Sequence, residues 1–267
     1  MSSIPLLNLA IIGFVTLVAG ICLMFRPRDR RFIGLFLTAF LTGVEMMVND
    51  LVLGMLSLAE KVRYDQYVFR IDQFFGQPSF ALGRWVQLHP ALWTPCLYAY
   101  DLLPSAFLAV AAAYFLWAPI EASLRYVWTL LLTAALAPLV YLLVPVSGPK
   151  YAFAAFPISP PPSLSPHLIQ LTAPPNGMPS VHMAGALLML YFARRWMAGS
   201  ILGWIYVLLT IVSTLGTGEH YALDLIAAVP YAMLMIYLMA PGRNQTAGPP
   251  SADLRAIVDL PEMKAEV

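Results

Sequence analysis

Long apolar runs, broken by short charged punctuation, fill most of this chain. A membrane-spanning helix needs roughly 20 mostly apolar residues. Seven runs fit that pattern, at 4–25, 32–56, 91–117, 123–146, 179–198, 200–217 and 220–240. They predict an all-α, polytopic transmembrane helical bundle of six or seven spans. Residues 57–90 differ in character. Leu58, Val62, Val68, Ile71 and Phe75 alternate with charges at near-helical spacing, and Trp85 and Leu88 follow. This segment is expected either as one or two amphipathic helices lying in the membrane interface or as a packed cap over the helix ends. The expected organisation is two N-terminal spans (1–56), an amphipathic interfacial segment (57–90), a transmembrane core (91–240) and a breaker-rich tail (241–267), disordered and cytoplasmic.

Composition agrees with this pattern. The chain is 60% hydrophobic and only 11% charged, whereas soluble domains carry about 25% charged residues. The surplus apolar surface must meet lipid. A net charge of +1 gives no reason to expect a nucleic-acid partner. The two cysteines, Cys22 and Cys96, fall in opposite predicted leaflets and are not expected to pair. Arg26, Arg28, Arg30 and Arg31 follow the first apolar run, which predicts a retained first helix and not a cleaved signal. With the N-terminus outside, the arginines at 26–31, at Arg194 and Arg195 and at Arg243 all fall on the cytoplasmic side. The expected topology is N-out, C-in in a cell membrane. Lys61, Arg63, Arg70 and Arg84 in the interfacial segment run against that rule.

Two phrases at the entrances of late helices carry candidate chemistry: Met178-Pro179-Ser180-Val181-His182, and Gly218-Glu219-His220-Tyr221-Ala222-Leu223-Asp224. The predicted topology puts both on the extracytoplasmic face. His220 and Asp224 are four apart, so a helix sets them on one face. The carboxylate can then accept from one imidazole nitrogen, leaving the other as nucleophile or base. A structural hydrogen bond has the same pattern, but ionisable groups in membrane helices are costly and mark function by default. His182 follows Pro179-Ser180 at a helix start, where Ser180 can cap and the first N–H groups form an anion site. A proline-rich connection, 147–178, leads into this phrase and is expected to form part of a site wall.

The two phrases resemble the second and third signatures of the type 2 phosphatidic acid phosphatase superfamily, P-S-G-H and S-R-x5-H-x3-D. They are most similar to the branch around inositol phosphorylceramide synthases, with Asn176-x-Met178-Pro179-Ser180-x-His182 and Gly218-x-His220-Tyr221-x-x-Asp224. The resemblance implies a lipid phosphatase or phosphotransferase core at 91–240. In it His220 attacks phosphorus, Asp224 orients His220, His182 is the general acid and Ser180 helps hold the phosphoryl oxygens. It implies a lipid phosphate substrate, a water, lipid or polyol acceptor, and no metal or cofactor. The chain departs from the pattern in three places. The first signature, K-x6-R-P, is absent, Ser213-Thr214 stands where the serine-arginine pair belongs, and Val181 replaces a glycine. The phosphate-clamping arginine is thus missing, and Lys150 is its expected replacement by position. Asn176 and Val181 complete the expected substrate-binding set.

Glu45, Asn49 and Asp50 in the second run and Asp101 in the third are either interhelical glue or a polar substrate groove. Trp93, Trp117, Trp128, Trp196 and Trp204 sit near predicted helix ends as interface anchors. Two rival readings use the same residues: a transporter or channel with ionisable groups in its bundle, and a metal-dependent hydrolase with His182, His220 and Asp224 as ligands.

Overall fold

A computed structural model describes residues 4–161 and 165–240. The expected tail therefore lies outside the described residues. Helices dominate: α1 (Ile4–Phe25), α2 (Arg30–Ala59), α3 (Asp65–Asp72), α4 (Pro78–Leu88), α5 (Pro90–Asp101), α6 (Leu103–Trp117), α7 (Ile120–Leu143), the single turn α8 (Pro149–Ala152), α9 (Val181–Ala193), α10 (Met197–Gly216) and α11 (Ala222–Leu238). Two two-residue strands, β1 (Val62–Arg63) and β2 (Ile169–Gln170), pair antiparallel.

All seven apolar runs are helical, but they are not equal spans. Four helices, in α1, α2, α7 and α10, are long and apolar enough to cross a membrane. The 91–117 run is broken into α5 and α6, bent by 63°. Pro104 lies in the first turn of α6, and Leu102 joins the two helices outside α geometry. Counting that bent pair as one span gives five. The runs at 179–198 and 220–240 give shorter helices, α9 with 13 residues and α11 with 17. At 1.5 Å per residue α9 is only about 20 Å long, short of the ~30 Å hydrocarbon core. Its helix ends at Ala193, before Arg194-Arg195. What α9 gains instead is centrality. Ala184, Ala186 and Leu188 are fully buried, and α6, α7, α10 and α11 pack around it. Small residues let neighbouring helices approach closely there.

The outer surface is apolar. Phe14, Met24, Phe25, Met47, Leu51 and Met197 stand exposed, as expected of groups meeting lipid tails. Cys22 and Cys96 are both free thiols.

The 57–90 segment forms a packed cap, and of the alternating apolar set Val68 is buried while three others face outward. Ile71, Phe75 and Leu58 are exposed, while α3 buries Asp65, Gln66, Val68, Phe69 and Asp72. Polar anchoring decides the orientation. Arg63 is wholly buried; its guanidinium donates to Ser147 Oγ at 2.9 Å and to the carbonyls of Glu60, Val62 and Ala173. The β1–β2 pairing, Val62 opposite Gln170 and Arg63 opposite Ile169, fastens the cap to the proline-rich connection. A buried charge is tolerable only when its hydrogen bonds are met, and here the loop carbonyls meet them.

Candidate active site

His220 lies in the turn between α10 and α11. Gly218 before it has φ +74, and a Cβ there would meet the Phe156 ring at 2.5 Å. Glycine alone fits this left-handed corner. The turn is pinned from several sides. The His220 N–H donates to Thr214 O at 3.3 Å, and Ser79 Oγ donates to His220 O at 2.9 Å. Asp72 Oδ1 accepts from Ala222 N at 2.8 Å, and Tyr221 Oη donates to Asp65 Oδ1 at 3.0 Å.

The His220 ring is 97% buried, and its Nδ1 lies 2.9 Å from Gly177 O. A carbonyl oxygen only accepts, so Nδ1 carries a proton, and it is Nε2 that holds the lone pair in the neutral ring. The sequence suggested that Asp224 receives this proton directly. Its Oδ2 instead stands 3.5 Å from Nδ1. That oxygen is already committed to Tyr221 N at 2.8 Å, where it caps α11. Asp224 is wholly buried, and its Oδ1 is the one fully buried side-chain oxygen or nitrogen without a partner among the described residues. Its carboxyl group lies behind the imidazole, with Oδ2 within ion-pair distance of Nδ1, and the Gly177 carbonyl sets the tautomer.

His182 occupies the first turn of α9. Ser180 caps that helix, its Oγ accepting from Met183 N at 3.3 Å. The Ser180 N–H donates to Asp224 O at 3.2 Å, so it is spent on joining the two phrases and not left for an anion. The N–H groups of Val181 and His182 start the helix and have no carbonyl a turn earlier to bond. His182 stacks on Tyr100, ring centroids 3.9 Å apart and planes 13° apart. The His182 and His220 rings are 6.3 Å apart, close enough for one small group to touch both.

Asn176, Val181, His182 and His220 border one cavity of about 270 Å³ between α2, α6, α7 and α9. Ser180, Asp224 and Lys150 are not among its lining residues. Lys150 begins the connection as expected, but its Nζ is paired with the Glu219 carboxylate and lies 4.6 Å from the Tyr151 ring centre. Burial pulls the Lys150 ammonium down, and Glu219 more than offsets this, leaving it above its ordinary value. Without a substrate, then, the expected clamp is occupied by a neighbour of His220. Among the described residues no group of three or more His, Cys, Asp or Glu side chains is arranged to hold a metal ion.

Sequence reasoning missed the cap carboxylates. Asp65 accepts from Ser147 N at 3.0 Å, Gly148 N at 2.8 Å and Tyr221 Oη. Gly148 has φ +115, and a Cβ there would lie 2.3 Å from Glu219 O. Asp65 and Gly148 therefore fit together around the His220 turn. Burial pushes the carboxyls of Asp65 and Asp72 up to about 6 against the pull of these hydrogen bonds. A signal did exist: the two aspartates are seven apart, which puts them on one helix face.

Fold and site together define a helical membrane protein with a histidine pair on a cavity inside its bundle. Residues 66–238, well over half of the chain, match the family model of the PAP2 superfamily. The chain belongs to that superfamily, and membership implies phosphoesterase activity. No curated protein and no solved structure shows significant similarity to it.

Proposed function

We propose that this protein cleaves a phosphoester of a membrane lipid through a phosphohistidine on His220, without a metal, and passes the phosphoryl or phosphodiester group to water or to a lipid or polyol hydroxyl. The observation that carries this reading is the 2.9 Å contact between His220 Nδ1 and Gly177 O. It leaves Nε2 unprotonated on a ring that borders the same cavity as His182. In the first step the Nε2 lone pair forms a bond to phosphorus as the bond to the leaving oxygen breaks. His182 is the general acid: the charge of the bound phosphate favours its protonated ring, which gives a proton to that oxygen. The Asp224 charge stabilises the imidazole as positive charge grows on it. In the second step the acceptor oxygen attacks phosphorus, the N–P bond breaks and the acceptor proton returns to His182.

Ser180 holds the α9 start, and the Val181 and His182 N–H groups stabilise phosphoryl oxygens. Asn176 borders the leaving group. Lys150 swings from Glu219 to the substrate phosphate. The absence of the usual basic clamp favours transfer to a hydroxyl acceptor, as in the synthase-like branch, over hydrolysis. The site faces the extracytoplasmic side, with the N-terminus out and the C-terminus in.

The test is product analysis on detergent-purified protein with EDTA, offered phosphatidic acid, a polyprenyl diphosphate or phosphatidylinositol, with and without hydroxyl acceptors. Free phosphate that vanishes in His220→Ala identifies a phosphatase. A new lipid that appears only with an acceptor identifies a transferase. Full turnover retained by His220→Ala sinks the mechanism, and loss of all turnover with EDTA sinks metal independence.

A further inference from the structure

The cavity has a second wall, and its chemistry is opposite to that of the histidine end. Glu45, Asn49 and Asp50 of α2 border it, together with Asp101 at the end of α5. No lysine or arginine is among its lining residues. The side-chain oxygens of Glu45, Asp50 and Asp101 make no hydrogen bond or ion pair among the described residues. The α2 side of the cavity thus offers an anion carboxyl groups and no bordering lysine or arginine.

Tyr141 gives an independent pointer. It borders the same cavity and is only 4% exposed. The buried tyrosines Tyr114, Tyr126 and Tyr231 each donate the hydroxyl to a backbone carbonyl. The Tyr141 hydroxyl has no hydrogen-bond partner among the described residues. The hydroxyl is not sealed off from the cavity, so a ligand lying there can bond to it.

We propose that this wall receives the ammonium group of an amine-bearing headgroup whose phosphate sits at the histidine end. The inference rests on the histidine pair being the phosphate end of the cavity. An ammonium supplies three donors, which suit the carboxyl oxygens and the Tyr141 oxygen. The cavity is thus bipolar and fits a zwitterion. At about 270 Å³ it lies just under the roughly 300–1,000 Å³ of ordinary small-molecule sites, so a headgroup of few atoms fits and a sugar chain does not. Glu45, Asn49 and Asp50 lie on α2, outside the matched residues 66–238, whereas Asp101 and Tyr141 lie within them.

The test is lipid binding to the full chain in detergent, by displacement of a fluorescent phospholipid. The competitors share acyl chains and differ in headgroup: phosphatidylethanolamine, phosphatidylglycerol and phosphatidic acid. Binding of phosphatidylethanolamine is expected to be at least tenfold tighter than that of phosphatidylglycerol. Glu45→Gln combined with Asp50→Asn and Asp101→Asn should erase the preference, and Tyr141→Phe should reduce it severalfold. If the triple variant does not fold, the single Glu45→Gln and Asp101→Asn variants are expected to weaken the preference in part. Equal binding of the three lipids by the unsubstituted protein, or a preference unchanged in the folded variants, overturns the proposal. Displacement by free phosphoethanolamine and not by glycerol phosphate assigns recognition to the headgroup alone; equal displacement by both overturns it. His220→Ala should keep the same preference. The catalytic reading can therefore fail, by turnover in that variant, while this one stands.

Discussion

The two ends of the cavity are built in opposite ways. At the histidine end the His220 turn is held on several sides. His220 is held through its ring, its N–H and its carbonyl, and the residues behind it are tied to the cap by Asp65 and Asp72. Elsewhere on the cavity wall the side chains of Glu45, Asp50 and Asp101 and the Tyr141 hydroxyl make no hydrogen bond among the described residues. The difference teaches where rigidity is spent. Bond-making chemistry needs reacting atoms held in place, because catalysis falls off steeply with misplacement. Selection among headgroups needs groups that still have something to offer a ligand.

The comparison breaks most visibly at His182. Its ring is positioned by stacking on Tyr100 and by helix α9, and in the proposed mechanism it supplies the proton for the leaving oxygen. His182→Gln should lower kcat by about 10²–10⁴-fold, the range for a general acid. The loss should shrink for substrates with good leaving groups. A uniform loss across leaving groups would assign His182 to binding instead.

Next in size is the cap. In Asp65→Asn an amide NH₂ must face a backbone N–H, because both carboxylate oxygens of Asp65 accept. The expected cost is about 1–3 kcal/mol, read as a lower denaturation midpoint, with kcat falling as the Gly148 turn loosens. A variant of unchanged stability would show that the cap is not what holds the His220 turn.

The Lys150–Glu219 pair tests the border between the two ends. Lys150 is paired away from the cavity in this structure. Glu219→Gln should free it and lower KM for an anionic lipid severalfold. Lys150→Ala should raise KM up to about tenfold with little change in stability, since half-exposed ion pairs contribute little. If neither changes KM, Lys150 is not the replacement for the missing arginine.

The smallest expected effect is on pH. Burial holds the carboxyls of Asp65 and Asp72 at about 6 in the fold, against about 3.9 in an unfolded chain. Between these values the folded protein binds more protons than the unfolded one, so stability falls as pH rises from about 4 to about 6 and levels off above. Thermal melts across that range should show the slope, and a slope of opposite sign would place the two carboxyls below their ordinary value. Asp72→Asn should flatten it.

The helical bundle and the two histidine phrases were legible because each rests on local pattern. An apolar run of sufficient length has few options besides a buried or membrane helix. Helix caps and i,i+4 pairs are likewise set by neighbours in the chain. The 91–117 run shows the limit, for its length suggested one span while Pro104 and Leu102 bend it. The cap shows it more sharply. Alternation favoured Val62, Val68, Ile71 and Phe75 as one face, whereas the fold turned Asp65 and Asp72 inward.

By itself, then, the sequence determined the apolar helical runs, their order and the two histidine phrases that border the cavity. Only the tertiary structure decided that the Gly177 carbonyl, 43 residues from His220, accepts the hydrogen bond from its Nδ1, that Lys150 is held by Glu219, and that α2 borders the cavity with acid. Those outcomes depend on contacts between segments distant in the chain. Their energies are set by burial and unmet hydrogen bonds, which no local spacing reveals.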